Sequence, residues 1–136
     1  MSNYFLDTNI LIDFLGNREP FGKFALKIFK KGVNGDWTLW TSSNSILTSY
    51  YIIGKIEGWE LAKKKITQLL PLVEINPMSK GDLLHALNSN FKDVEDAAQH
   101  SCAIGIKGID GIITRNKKDF KHSQLKVYNP SELFSD

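Results

Sequence analysis

Residues 4–15, YFLDTNILIDFL, constrain the fold of this chain more than any other stretch. A short apolar run ends at the carboxylate of Asp7, and two capping residues, Thr8 and Asn9, lead into a second apolar run. This order predicts a buried strand that passes directly into a helix, with Thr8 or Asn9 as the helix cap. Asp7 is then expected at the carboxyl end of a strand, where open α/β sheets bind ligands. The same segment also allows Asp7 to be an acid that only complements the helix dipole.

The rest of the chain repeats the alternation of strand and helix. Runs of β-forming and apolar residues predict further strands at 37–40, 72–75, 111–114 and 125–128. Such alternation predicts an α/β fold with a doubly wound, mostly parallel sheet of four or five strands, a central first strand and helices on both faces. No internal repeat or linker is visible, so we expect a single domain over residues 1–136.

Composition narrows the classes of protein that remain. Of the 136 residues 42% are hydrophobic and 24% are charged, which is typical of a soluble globular domain. No apolar run approaches the roughly 20 residues that cross a bilayer, and no signal peptide is recognisable. The lone cysteine, Cys102, excludes a disulfide framework, so a reducing cytoplasm is expected. The net charge of +2 permits nucleic acid as a partner without requiring it.

Acidic and amide side chains recur at positions that the predicted sheet brings to one edge. Asp7 ends the first strand, Asp93 and Asp96 begin a late helix, and Asn116 and Asp119 lie in the loop after a late strand. Carboxylates gathered at one place repel one another unless a cation joins them. The alternative is that the acids at the start of the late helix complement its dipole.

The residue types favour one kind of cation. Oxygen ligands without histidine or cysteine clusters suit Mg²⁺ or Mn²⁺ rather than Zn²⁺. A metal held by a few carboxylates, with open water positions, suits phosphoryl chemistry on a nucleic-acid backbone. Arg115 lies beside these acids and offers a planar fork to a scissile phosphate, or alternatively pairs with Asp119.

Three pieces of the sequence, in this order, carry a family resemblance: FLDTNILIDFL, DVEDAAQHSCA and GIITRNKKDF. The chain resembles PIN-domain proteins, and more closely the toxin of VapBC-type toxin–antitoxin pairs. The resemblance implies a metal-dependent endoribonuclease with Asp7 and Asp96 as metal ligands. It also implies that Asn9, Ser43 and Thr114 hold the carboxylates or a metal-bound water by hydrogen bonds.

Two positions depart from the family pattern. The family usually has a glutamate near the start of the helix after the second strand, where this chain has Thr48 or Ser49. Its fourth acid is replaced by Asn116, and Asp119 stands three residues further on. A site with less negative charge predicts lower metal affinity and weak cleavage of single-stranded RNA, with Mn²⁺ at least as effective as Mg²⁺.

The resemblance also implies partners. A small antitoxin is expected, and apolar and aromatic residues in 50–53 and 59–70 favour a homodimer. The lost acids leave a second possibility, a degenerate PIN domain that binds RNA or protein without cutting. A third class fits poorly, since an aspartate-nucleophile phosphatase needs an aspartate where Asn9 stands, and a phosphoryl receiver needs an acidic pair before its aspartate.

Overall fold

The first strand lies at the centre of a parallel sheet. A computed structural model describes residues 2–134, which form β1 Ser2–Leu6, β2 Trp37–Ser42, β3 Glu74–Asn76, β4 Gly111–Ile113 and β5 Val127–Tyr128. The strand order is β3-β2-β1-β4-β5, and every pairing is parallel. The predicted α/β fold, with its mostly parallel sheet and central first strand, is confirmed.

Helices cover this sheet. They are α1 Thr8–Gly16, α2 Gly22–Val33, α3 Ser43–Glu57, α4 Trp59–Leu69, α5 Lys80–Leu87, α6 Val94–Ile104 and α7 Pro130–Leu133, and Leu70–Leu72 and Lys117–Phe120 form short 3₁₀ turns. No helix within residues 2–134 combines the length and apolarity that a bilayer crossing requires.

Successive side chains along β1 and β4 point to opposite faces of the sheet and belong to two separate apolar cores. Leu6 and Ile113 face one side of the sheet, where they pack with α1, α2, α3 and α4. Phe5 and Ile112 face the other side, where Cys102 of α6 is completely buried against them. Burial on both faces explains why these strands are continuously apolar rather than alternating with polar residues.

Several element boundaries differ from the sequence prediction. Asp7, not Thr8 or Asn9, caps α1: its backbone is extended and its side chain accepts a bond from the Thr8 N–H. The 3₁₀ turn Leu70–Leu72 delays β3, which begins at Glu74 rather than near residue 72.

The chain order reverses between β1 and β4. Strand β2 follows β1 on one side, whereas β4 lies on the other side, so a crevice opens at the carboxyl ends of β1 and β4. The Asp7 N–H donates to the Ile113 carbonyl at 3.0 Å, which fixes Asp7 beside Thr114 at this point. Residues from both strands therefore meet where α/β sheets bind ligands.

Candidate active site

Asp7 is a buried carboxylate held from three directions. It is 6% exposed, and its Oδ1 accepts a bond from the Thr8 N–H at 2.8 Å. Its Oδ2 accepts bonds from Thr114 Oγ1 at 2.7 Å and Asn9 Nδ2 at 3.2 Å. Thr114 is itself completely buried, so the orientation of the carboxylate is fixed by groups that cannot easily move. Asn9 and Thr114 thus lie where the resemblance placed them.

Asp96 stands half-buried in the first turn of α6, close to other acids. Burial raises the pKa of Asp96 to about 7, and the negative charges of its acidic neighbours Asp7, Asp93, Asp119 and Glu95 add to the shift. We call these five side chains the carboxylate cluster. Their mutual influence shows that the three predicted segments do meet at one edge of the sheet.

The same forces act on Asp7. Burial raises its pKa, the bonds from Thr114 and the Thr8 N–H oppose the rise, and the charges of Glu95 and Asp119 support it. A buried carboxylate prefers a nearby positive charge to a proton when a cation is offered. Burial and the charges of its acidic neighbours therefore both disfavour the ionised form of Asp7.

Asp93 also has a structural task. Its Oδ1 accepts bonds from the N–H groups of Glu95 at 2.8 Å and Asp96 at 3.3 Å, so it caps α6. This bond pattern fixes the first turn of the helix and, with it, the backbone of Asp96. This capping role agrees with the alternative that the acids at the start of this helix complement its dipole. The second carboxylate oxygen of Asp93 forms no bond with these N–H groups.

The loop after β4 brings the remaining candidates. The Asn116 N–H donates to Thr114 Oγ1 at 3.0 Å, and the Asn116 side chain is exposed. Asp119 lies in the 3₁₀ turn, exposed, and its N–H donates to the Asn116 carbonyl at 2.9 Å. The loop thus presents an amide oxygen and a carboxylate toward solvent beside the buried Asp7.

The donor set suits a hard cation, although the acids are spread out. Within residues 2–134 no three His, Cys, Asp or Glu side chains stand close enough together to hold a metal ion by themselves. Mg²⁺ commonly needs only one or two carboxylates, with water completing its octahedron. Asp7 and Asp96 are the two acids of the cluster whose pKa is raised, in both cases chiefly by burial.

Arg115 forms an ion pair that was not predicted. Its Nε donates to Asp13 Oδ2 at 2.5 Å and its Nη2 to Asp13 Oδ1 at 3.2 Å, so one edge of the guanidinium is occupied. Asp13 is 1% exposed and requires a charged partner. Arg115 thus pairs with Asp13 rather than with Asp119 and holds α1 to the loop after β4, and its contact with a phosphate stays a prediction.

Ser43 also differs from expectation. Its Oγ accepts a bond from the Met78 N–H at 3.1 Å, which ties α3 to the segment before α5 rather than to the carboxylates. Ser43 is the first residue of α3 and lies half-buried, whereas the preceding Ser42, the helix cap, points inward and is completely buried. The serine that turns toward α6 is therefore Ser42.

A buried polar network lies beneath the cluster and was not predicted. Gln99, 1% exposed, donates from Nε2 to Ser45 Oγ and to Thr8 Oγ1, the latter at 3.1 Å. Ser42 Oγ donates to Gln99 Oε1 at 2.6 Å, and Thr8 and Ser45 share a bond of 2.7 Å. Gln99 follows Asp96 by three residues on α6, so this network fixes α6 against the residue that follows Asp7.

The position of the usual family glutamate carries no charge. Thr48 is half-buried, and Ser49 is completely buried with its hydroxyl unpaired among the described residues. The site therefore holds less negative charge on the α3 side than the family pattern has.

The chain belongs to the PIN domain family, whose profile matches residues 3–118. Among curated proteins it resembles ribonuclease VapC1 of Aquifex aeolicus, with 29% identity over 136 residues, covering 95% of this chain and 91% of the relative.

Solved structures share the fold. VapBC2 from Rickettsia felis, bound to a DNA fragment from its promoter, aligns with a TM-score of 0.67 at 21% identity over 93% of this chain and 98% of the other. A toxin–antitoxin complex from Klebsiella pneumoniae aligns with a TM-score of 0.67 at 21% identity, over 93% of this chain and 97% of the other. VapC20 of Mycobacterium tuberculosis, a sarcin–ricin loop cleaving toxin, aligns with a TM-score of 0.64 at 13% identity, over 80% of this chain and 86% of the other. At these identities the likeness concerns the fold.

Proposed function

We propose that this protein is a metal-dependent endoribonuclease that cleaves single-stranded RNA, the toxin of a toxin–antitoxin pair acting in the cytoplasm. The PIN domain family and the resemblance to a protein named ribonuclease VapC1 support this class. The observation that carries the proposal is Asp7, buried at the switch point of the sheet and fixed by Thr114, Asn9 and the Thr8 N–H beside the uncompensated charge of Asp96.

Asp7 and Asp96 would hold the cation, which is Mg²⁺ or Mn²⁺. Asp93, through its second oxygen, and Asn116, through its amide oxygen, are the further ligands that we propose. Such an ion, when bound, lowers the pKa of a coordinated water and neutralises charge on a phosphate.

The protein's own groups prepare the site before RNA arrives. Thr114 and Asn9 hold Asp7 in one orientation, and the Gln99 network fixes α6, so little reorganisation is needed when charge develops. Asp119 stands on the exposed side of the cluster, where the RNA backbone would approach. We propose that it takes the place of the missing fourth acid and has a catalytic role.

Asp7→Asn and Asp96→Asn test this function. Each variant keeps the shape of the side chain and removes the ligand charge, so both are expected to lose cleavage while unfolding at nearly the parent temperature. Cleavage of a labelled single-stranded RNA is measured with Mn²⁺, with Mg²⁺ and with excess chelator. Glu74→Gln, an exposed acid on β3 outside the cluster, is the control and is expected to cut like the parent.

A second function is favoured by specific positions. Thr48, Ser49 and Asn116 leave the site short of charge, which supports a degenerate PIN domain that binds RNA or a protein without cutting. If the parent protein shows no cleavage with either metal and Asp7→Asn binds RNA equally well, this second function replaces the first.

We further propose that the protein forms a homodimer and binds a small antitoxin. Tyr51, Ile56, Trp59 and Leu61 on α3 and α4 are between 41% and 69% exposed, although they are large and apolar. Apolar surface of this kind marks an interface rather than a free face.

A further inference from the structure

A second concave site shares the loop after β4 with the candidate active site. A cavity of about 320 Å³ opens between the start of α2 and the start of α7, and its walls include Phe21, Phe24, Arg115, Asn129 and Pro130. We call it the Phe24 cavity. Its volume is at the lower end of the range in which proteins hold small organic ligands, roughly 300–1,000 Å³.

The wall of the Phe24 cavity begins one residue from the support of Asp7. Thr114 donates to the Asp7 carboxylate, and the next residue, Arg115, lines the cavity. The Arg115 N–H donates to Asn9 Oδ1 at 3.2 Å, and Asn9 also donates to Asp7. The loop after β4 therefore both supports Asp7 and forms part of the cavity wall.

One side of the cavity is rigid and flat. The Arg115 guanidinium lies over the Phe21 ring, with its central carbon 3.9 Å from the ring centroid. Both ends of its fork are bound to the buried Asp13. Because the positive charge is paired there, this wall offers planar surface rather than a free cation.

On the other side of the cavity, the Phe24 ring has two lysines beside it, which are not themselves residues of the cavity wall. Lys23 Nζ lies 5.2 Å and Lys27 Nζ 5.9 Å from the centroid of the Phe24 ring. Neither lysine forms an ion pair with any carboxylate in residues 2–134. An aromatic surface flanked by free cations is the combination with which proteins bind single-stranded nucleic acid, by stacking a base and contacting its phosphates.

We propose that the Phe24 cavity is a nucleobase subsite, which holds one unpaired base of the RNA strand close to the scissile phosphate. The base lies against Phe24, and Lys23 and Lys27 contact the phosphates on either side of it. This inference rests on the proposed function, because RNA enters the cavity only if its backbone lies over Asp7. An apolar side chain of a protein partner would not use two unpaired lysines, so the charges favour RNA.

Phe24→Leu removes the aromatic face and keeps an apolar side chain. Its matched control is Trp37→Leu, because Trp37 is also a half-buried ring near a lysine, with Lys31 Nζ 6.0 Å from its centroid, but lies outside the Phe24 cavity. Both are made in the Asp7→Asn protein, so that RNA binding is measured without cleavage. Fluorescence anisotropy with a labelled ten-nucleotide RNA is expected to show about tenfold weaker binding for Phe24→Leu, as the loss of one stacked base predicts. Trp37→Leu is expected to bind like its parent.

A series of the same RNA, each with one abasic ribose, identifies the base. Binding to the Asp7→Asn protein is expected to weaken at one position only, and Phe24→Leu is expected to abolish that sensitivity. Phe24→Tyr keeps the ring and is expected to retain both affinity and sensitivity. This variant and Lys23→Gln keep the test decisive if Phe24→Leu unfolds at a lower temperature.

Three outcomes overturn the inference. They are equal RNA binding by Phe24→Leu and Trp37→Leu, a uniform response along the abasic series, and loss of antitoxin binding rather than RNA binding in Phe24→Leu. Failure of the proposed function looks different. If the parent protein cuts no RNA with either metal but its RNA binding still weakens at one abasic position, the nucleobase subsite is supported and the nuclease function is refuted.

Discussion

Asp119 is the single residue whose substitution best tests the proposed catalytic role of the loop after β4. It is exposed in the 3₁₀ turn, yet its charge raises the pKa of both Asp7 and Asp96. If it replaces the missing fourth acid, Asp119→Asn should lower the rate of RNA cleavage by well over tenfold, since each factor of ten corresponds to about 1.4 kcal/mol of transition-state stabilisation. Initial rates at saturating Mn²⁺ measure this effect.

Glu95→Gln is the matched control for Asp119→Asn. Glu95 is exposed and also raises the pKa of Asp7 and Asp96, but it is not one of the predicted ligands. If Glu95→Gln changes the cleavage rate little and Asp119→Asn lowers it strongly, Asp119 acts directly in the reaction and not only through its negative charge. Equal effects in the two variants would reduce Asp119 to a contributor of background charge.

His100 makes the stability of the fold depend on pH. It is 3% exposed, and its Nε2 accepts a bond from the Gln124 N–H at 3.0 Å, which requires the neutral ring. Burial lowers the pKa of His100, and the nearby His85 lowers it further. Unfolding therefore takes up a proton below the usual histidine pKa of about 6.5, so this contribution to stability is full above that pH and is lost as the pH falls through it toward the lowered value.

Thermal unfolding between about pH 7.5 and pH 5.5 measures this dependence, because the window spans the usual histidine pKa. The parent protein should lose more stability on acidification than His100→Gln, which cannot titrate. His122→Gln, at the rim of the same small cavity, should behave like the parent. If the difference in unfolding temperature between parent and His100→Gln is the same at both pH values, His100 does not titrate in this window.

The sequence did not reveal the residues whose hydrogen-bond partners lie far away along the chain. Asp7, Thr114 and Asp96 were located because each lies in a recognisable local pattern of strand end or helix start. Asp13 and Gln99 form their decisive bonds with partners 102 and 91 residues away, which no local pattern encodes. His100 is buried as well, because its face of α6 packs against the sheet.

Among the elements, α3 and α4 approach most closely at a glycine. A Cβ placed on Gly54 would overlap the ring of Trp59, the first residue of α4. Gly54→Ala should therefore destabilise the protein by roughly 1–3 kcal/mol, as overpacking does elsewhere. Denaturant unfolding measures the change, and adding Trp59→Leu to Gly54→Ala should restore part of it.

Gly81→Ala is the control in another helix. A Cβ on Gly81, in α5, meets only Ser79 Oγ at 3.5 Å, so alanine fits there. Because alanine favours helix over glycine by roughly 0.5–1 kcal/mol, this variant should be more stable than the parent. If the Gly54→Ala variant were also more stable than the parent, the predicted overlap between α3 and α4 at Gly54 would be contradicted.

The order of elements was more predictable than their ends. Hydrophobic period and capping residues located the strands and indicated the parallel sheet, because these signals are local. The start of β3 was misplaced because Pro71 lies in a 3₁₀ turn that occupies residues which are equally apolar in sequence. The cap of α1 was assigned one or two residues late, since Asp7, Thr8 and Asn9 all have capping side chains and only the backbone angles distinguish them.

At the scale of the whole molecule, the fold is shared with toxins over most of the chain, whereas the boundaries of the domain stay a prediction. The family profile covers residues 3–118 and leaves out β5 and α7, although both contribute to this structure. Strand β5 extends the sheet by pairing with β4, and α7 lines the Phe24 cavity through Asn129 and Pro130. The last elements of the chain thus complete the surface beside the site.

The apolar surface on α3 and α4 predicts a homodimer. Ile56 is 69% exposed on α3, so Ile56→Asp should leave the core intact and convert a dimer into a monomer. Leu87→Asp is the matched control, because Leu87 is 65% exposed on α5, away from this surface. Sedimentation at high micromolar concentration measures the assembly, and co-purification with the product of a neighbouring reading frame measures antitoxin binding. A monomeric parent that carries no partner would contradict the prediction, and dissociation by Leu87→Asp alone would move the interface to α5.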